Sequence, residues 1–316
     1  PLIWLLVPGY RGRGCGVFFN TKQIKLCLYI FLTHNLTALG CAASRPAWRE
    51  HWLINAENYK RFEVRFAQNS DDVAAAQALR YRVFYEEMGA TPQSILGPTF
   101  KDTDGFDDIC DHLLVVDTEL PAAENVIGTY RLLRKDTAMR FGGFYSSDEY
   151  DLGPLIEGPW GSGGLLELGR SCVHPSYRNN GTIQLLWQGI TNYINFYEID
   201  VMFGCASFLG ITPSDHALAL SYLHYNHLVP AECWVKAQSD RFVNMRLIPQ
   251  RDFSTRDALV RLPPLIKAYL RLGAFVGEGA VVDHVFGTTD VFIVLPVEKI
   301  PQRYLNRFHR SFSPEC

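Results

Sequence analysis

The run of apolar and polar positions divides the chain into strands and helices around one central stretch. Positions 165–173 are mainly apolar, with Gly163 and Gly164 before them and His174-Pro175 after, the pattern of a buried strand. From Thr182, the apolar residues Ile183, Leu186, Trp187 and Ile190 recur at helical spacing. Asn179-Asn180-Gly181 between them is a turn signal, so the stretch predicts strand, loop and helix in succession. Upstream, 61–67 alternates as a strand. Ser70-Asp71-Asp72 then gives an N-cap with acidic first-turn residues to a helix over 73–88 that Gly89 stops. A long loop over 91–108 leads to strands over 111–117 and 125–134, a hairpin by spacing. Positions 137–163 read as loop with a short helix. Downstream come a strand over 201–208, a helix capped by Ser214 and ending near Asn226, and a strand over 242–247. A helix over 263–272, strands over 280–285 and 290–295, and a final helix over 301–310 complete the series. Strands and helices mixed in this way around one β–loop–α unit predict an α/β fold (α+β in its mixed strand order), a mixed central sheet flanked by helices.

Composition narrows the class. Of 316 residues, 47% are hydrophobic and 20% charged, an ordinary globular balance. The net charge of -3 gives no basic field of the kind nucleic acid requires. The eight cysteines are scattered without a C-x-x-C pair, which favours reduced thiols and a cytoplasmic setting. Residues 1–45 differ from the rest, and no Met begins them. Two lysines, a short apolar run and Ala38-Leu39-Gly40-Cys41 faintly resemble a lipoprotein signal, but the run is too short to span a bilayer. They read as a misassigned start or a non-domain segment. Residues 46–61 read as a linker, 62–262 as the main domain, and 263–316 as a C-terminal extension packed on it.

Several residues then carry chemistry. The loop Arg178-Asn179-Asn180-Gly181-Thr182 feeds a helix N-terminus, whose free N–H groups and dipole suit a phosphate. Glu167 and Arg170 are charged residues in an apolar strand, where burial is costly without a partner. A bulge at Gly169 would bring both to one face and part the strand from its neighbour, leaving an N–H to polarise a thioester carbonyl. A structural Glu–Arg ion pair is the alternative. Asp104, Asp107 and Asp108 crowd an acidic loop that suits a cationic amine, or is simply solvated. Arg80 and Phe84, four apart, share a helix face, and Arg131 follows Gly128 in a strand. His224-x-x-His227 lacks a third ligand, so no metal is expected.

The loop resembles the R/Q-x-x-G-x-G/A loop of GNAT acyltransferases, with Ile183 where Gly or Ala is usual. Arg80-x-x-x-Phe84, Asp104-x-Phe106-Asp107, Gly128-x-x-Arg131 and Glu167-x-x-Arg170 resemble, in order and spacing, the acyl-homoserine-lactone synthases. Asp111-His112-Leu113-Leu114-Val115, the segment from Glu167 to His174, Pro263-Pro264-Leu265-Ile266 onward and Phe286-Gly287-Thr288-Thr289-Asp290-Val291 are more similar to the bacterial ornithine Nα-acyltransferases, over roughly 62–296. That resemblance implies a GNAT-like fold and transfer of a 3-hydroxyacyl group from an acyl-carrier-protein thioester to L-ornithine, giving lyso-ornithine lipid. It implies Glu167 as base and Arg170 as its orienter or as partner of the substrate carboxylate. Arg80, Phe84 and Arg131 would be further substrate contacts, Asp104 and Asp107 would hold the side-chain ammonium, and Arg178–Thr182 the pantetheine phosphate. It implies no permanently bound cofactor. Homoserine-lactone synthesis and a non-catalytic, haemolysin-like lipid association are the alternatives. The last helix has Tyr304, Leu305, Phe308 and Phe312 on one face and Arg303, Arg307 and Arg310 mostly elsewhere, a contact for an anionic membrane.

Overall fold

A computed structural model describes residues 61–91, 100–178, 180–302 and 304. Its strands are β1 (Phe62–Phe66), β2 (Asp111–Asp117), β3 (Val126–Arg134), β4 (Tyr150–Asp151), β5 (Gly164–Val173), β6 (Ile199–Leu209), β7 (Lys236–Ala237), β8 (Phe275–Asp283) and β9 (Thr288–Pro296). They form one mixed sheet in the order β1-β2-β3-β5-β6-β9-β8-β7-β4. The chain runs antiparallel from β1 to β5, parallel from β5 to β6, and antiparallel again through β9 and β8.

The helices are α1 (Ser70–Tyr81), α2 (Lys135–Arg140), α3 (Gly153–Glu157), α4 (Asn180–Phe196), α5 (Ala217–His227), α6 (Thr255–Arg261) and α7 (Pro264–Arg271). α1 and α4 cover opposite faces of the first strands, as the alternation of side chains along a strand requires. Leu114 and Val116 of β2 share a core with Ala76 and Leu79 of α1. Leu113, next to Leu114 in sequence and so on the other face, meets Gly189 of α4, where an added Cβ would stand 2.6 Å from the leucine side chain. That glycine lets the helix lie close to the sheet.

Several boundaries differ from the sequence expectation, each for a local reason. The cap of α1 is Asn69, whose Oδ1 accepts from the N–H groups of Asp71 (3.0 Å) and Asp72 (2.9 Å). The helix expected to Met88 changes winding, and Arg82–Glu87 forms a π turn. The stretch 137–163 holds not only loop but α3, β4 and most of α2. The expected strand over 242–247 makes one bridge, Val243 to Ala280. Beyond it, Asn244 and Ser221 side-chain oxygens take the N–H groups of Arg246, Leu247 and Ile248 that a ladder would have used. Among the described residues no helix is long and apolar enough to cross a membrane. The N-terminal segment, the linker up to residue 60, and the final helix apart from Pro301, Gln302 and Tyr304 lie outside the described residues.

Candidate active site

The site grows from an irregularity in β5. Opposite β3, Thr129 pairs with Cys172 and Arg131 with Gly169, so β5 holds one residue more between these pairs. The surplus is absorbed at Arg170, whose φ is +47°. A non-glycine residue adopts that conformation only where its surroundings hold it there. On the other edge, the β5–β6 ladder runs to Glu167↔Phe203 and ends, while β6 stays paired with β9 as far as Leu209. The two central strands therefore part beside Glu167.

Glu167 and Arg170 both line the resulting crevice, together with Tyr145, Ser146, Gly169 and Cys205. They do not pair with each other. The Glu167 carboxylate accepts from the N–H of Tyr145 (2.8 Å), the N–H of Ser146 (2.7 Å) and the Ser146 hydroxyl (2.6 Å). Burial pushes its proton affinity above the ordinary carboxylate range, and these hydrogen bonds offset only part of that rise. The space at the crevice is about 20 Å³, room for one water molecule.

Arg170 belongs instead to a buried ionic network. Its Nε lies 3.1 Å from Asp102 and its Nη2 3.0 Å from Asp104, and its guanidinium stacks 4.8 Å from the Tyr145 ring centre. Arg80 grips both oxygens of Asp107 at 2.8 Å, sits 2.7 Å from Asp102 and donates to the Asp102 carbonyl. Arg131 reaches Asp104 at 2.5 Å and Asp107 at 3.2 Å. Three guanidiniums thus face three carboxylates. Burial raises the proton affinity of Asp102 and Asp107, but the arginines outweigh it and hold both below the usual range. Phe84 packs edge-on to Phe286, ring centres 5.6 Å apart, beside this network.

Asp104 and Asp107 therefore meet arginines, and Asp108 stays exposed. Asp102 was not singled out in the sequence. Its only signal was its place two residues before Asp104, because burial of a loop carboxylate leaves no periodic trace.

At the proposed donor end, Arg178 forms a bidentate pair with Glu87, both bonds 2.5 Å, and donates to the Val173 carbonyl at 3.2 Å. Asn180 opens α4, followed by Gly181 and buried Thr182. Gly128 of β3 admits this end of the helix, since a Cβ there would lie 3.2 Å from Thr182 Cγ2. Asn179 and the Asn180 side chain lie outside the described residues. Among the described residues, the thiols of this region are poor nucleophiles. Burial pushes Cys110 up to about 12 and holds Cys172 and Cys205 above the ordinary thiol range, so all three are protonated at neutral pH.

Comparison with known proteins decides the family. The acetyltransferase (GNAT) domain matches residues 79–188, from the end of α1 into α4. The L-ornithine N(alpha)-acyltransferase of Brucella abortus is 51% identical over 78% of this chain and 88% of its own length. The chain belongs to the L-ornithine N(alpha)-acyltransferase family. The enzyme of the same name from Rhizobium meliloti is 52% identical, over 78% of this chain and 83% of its own. Among solved structures, FeeM, an N-acyl amino acid synthase from uncultured soil microbes, matches 75% of this chain and 92% of its own, at 14% identity and a TM-score of 0.40. Family and domain together make the protein an acyltransferase of GNAT fold.

Proposed function

We propose that the protein moves a 3-hydroxyacyl group from an acyl-carrier-protein thioester to the α-amine of L-ornithine, giving lyso-ornithine lipid. The observation that carries this reading is the parting of β5 and β6 beside a buried carboxylate. A thioester laid in that opening meets the unpaired edge of β5, where backbone N–H groups polarise its carbonyl. The acceptor arrives as an ammonium and must lose a proton before it attacks. Glu167 takes that proton through one water, and its burial makes it a stronger base than a surface carboxylate. The amine nitrogen bonds to the acyl carbon, the tetrahedral oxyanion collapses, and the carrier thiolate leaves. Cys110 and Cys205, which line the crevice, are held protonated by burial, so transfer is direct.

The arginine–aspartate network is positioning machinery: it fixes Arg170 at its unusual φ and with it the wall of the crevice. At the donor end, Arg178 exchanges Glu87 for the phosphate of the pantetheine arm, beside Asn179, Asn180, Gly181 and Thr182. Ile183, where a smaller residue would leave room for a pyrophosphate, favours the single phosphate of a carrier protein over coenzyme A. The arm arrives with the donor, and no resident cofactor takes part. The basic, aromatic stretch from Lys299 to Phe312 gives the lipid product a nearby anionic membrane. The test offers the same acyl chain on carrier protein and on coenzyme A with L-ornithine. A higher kcat/KM with the carrier is expected; the reverse order overturns the carrier assignment.

A further inference from the structure

A second carboxylate cluster is linked to Glu167 through Ser146 and Cys205. Ser146, which donates to Glu167, accepts from the Cys205 thiol at 3.6 Å, and the same thiol lies 3.3 Å from Glu149 Oε2. Glu149, Asp283 at the end of β8 and Asp290 in β9 each offer a carboxylate oxygen, all within 4.8 Å of one another. Asp290 is 1% exposed, and its Oδ1 has no hydrogen-bond partner. Among the described residues, neither lysine nor arginine forms an ion pair with any of the three. Burial, with Asp290 beside it, pushes Glu149 up to about 7, and burial raises Asp290 as well. Glu149 and Asp290 are buried and Asp290 Oδ1 stands unsatisfied, an arrangement that suits a cationic ligand.

Two of the three carboxylates line a cavity next to the acyl-transfer crevice. Glu149 and Asp283 line a cavity of about 530 Å³ that shares Tyr145 with the crevice at Glu167. An ammonium donates three N–H bonds in tetrahedral directions, which asks for acceptor oxygens roughly 4.6 Å apart. The two loop carboxylates expected in that role, Asp104 and Asp107, are each already bound by two arginines.

We infer that Glu149, Asp283 and Asp290 form the subsite for the side-chain ammonium of the acceptor amino acid. The inference rests on the acyltransferase reading above and names how that reaction selects a diamino acid. With the ammonium held there, the α-amine of a short-chain diamino acid lies toward Glu167, and a monoamino acid of the same length leaves Asp290 unpaired.

The test compares L-ornithine with L-norvaline, which keeps the carbon chain and lacks the side-chain amine, at saturating acyl carrier protein. Glu149→Gln and Asp283→Asn are the variants. The second keeps an acceptor for the N–H groups of Val285 (2.8 Å) and Phe286 (3.0 Å), so the turn survives. Wild type is expected to prefer ornithine, and each variant to raise the ornithine KM roughly tenfold or more with kcat and the norvaline reaction nearly unchanged. Equal losses on both acceptors, or an unmoved ornithine KM in a folded variant, would overturn the subsite. So would activity abolished by EDTA and restored by Mg²⁺ or Ca²⁺, which would give the cluster to a metal. Calorimetry of wild type with each amino acid needs no variant: binding of both with equal affinity also overturns it. A wild type that acylates neither acceptor overturns the acyltransferase reading itself, whereas acylation of ornithine without these effects overturns only the subsite.

Discussion

At the scale of single residues, the proposed chemistry turns on Glu167. Glu167→Gln removes the base and, with the amide oxygen at Oε1, keeps both bonds from Ser146 while giving up the one from the Tyr145 N–H, so the fold is expected to stay and kcat to fall by roughly 10²–10⁴-fold. A rate within a few-fold of wild type in a folded variant would leave Glu167 a structural acceptor. Asp107→Ala tests the network. It takes one carboxylate partner from each of buried Arg80 and Arg131 and leaves three guanidiniums to two carboxylates, and thermal or urea unfolding is expected to report a loss of about 3–5 kcal/mol. Asp102 and Asp107 are held below their unfolded values, so their stabilisation is full above about pH 4 and is lost as pH falls below it. Wild type should therefore lose stability steeply in that acid range and the variant less so. Much of the network was legible in the sequence. Arg80, Asp104, Asp107, Arg131, Glu167 and Arg170 stand out as charges at fixed spacing, several of them in apolar elements. Their pairing was not legible: Glu167 and Arg170, three apart, do not meet, because Tyr145 and Ser146 come from a loop 21 residues away to take the carboxylate. Asp102 and Glu149 escaped notice, and Asp290 stood out only within a family-like motif, because nothing local distinguishes a buried carboxylate from a solvated one.

At the scale of elements, the strand–loop–helix from β5 to α4 was readable because apolar periodicity and turn residues agree over its whole length. The bulge was anticipated one residue early, at Gly169. Its true place at Arg170 is set by the register with β3, which sequence does not carry. The π turn after α1 has the same origin: side chains pinned from outside the helix, Arg80 by Asp107 and Phe84 by Phe286, flank the change in winding. The loop before α4 carries its own prediction. Arg178→Ala removes the charge offered to the donor phosphate, so the KM for carrier thioester should rise roughly 10–100-fold while that for ornithine stays unchanged. Steady-state kinetics with each substrate varied in turn check this, and a rise confined to ornithine would reassign the loop.

For the molecule as a whole, the sheet brings distant segments to one place. β5 and its bulge come from the middle of the chain, the arginine of α1 from its first third, and Asp283 and Asp290 from β8 and β9 near its end. β9 lies next to β6 and so completes the far wall of the opening. Such convergence follows from strand order, which the hydrophobic pattern leaves open even where it locates each strand correctly. On the proposed function, this opening joins a carrier-bound acyl group to the α-amine of a diamino acid. The most direct measurement incubates the purified full chain with 3-hydroxyacyl-carrier protein and equimolar L-ornithine, L-lysine, L-norvaline and S-adenosylmethionine. The products are read by fragmentation mass spectrometry, which locates the amide. Nα-acyl-ornithine is expected as the main product, formed by wild type and lost with Glu167→Gln. Acyl-homoserine lactone as the main product, amide at the side-chain nitrogen, or no amide from an active-site-intact, folded protein would contradict it.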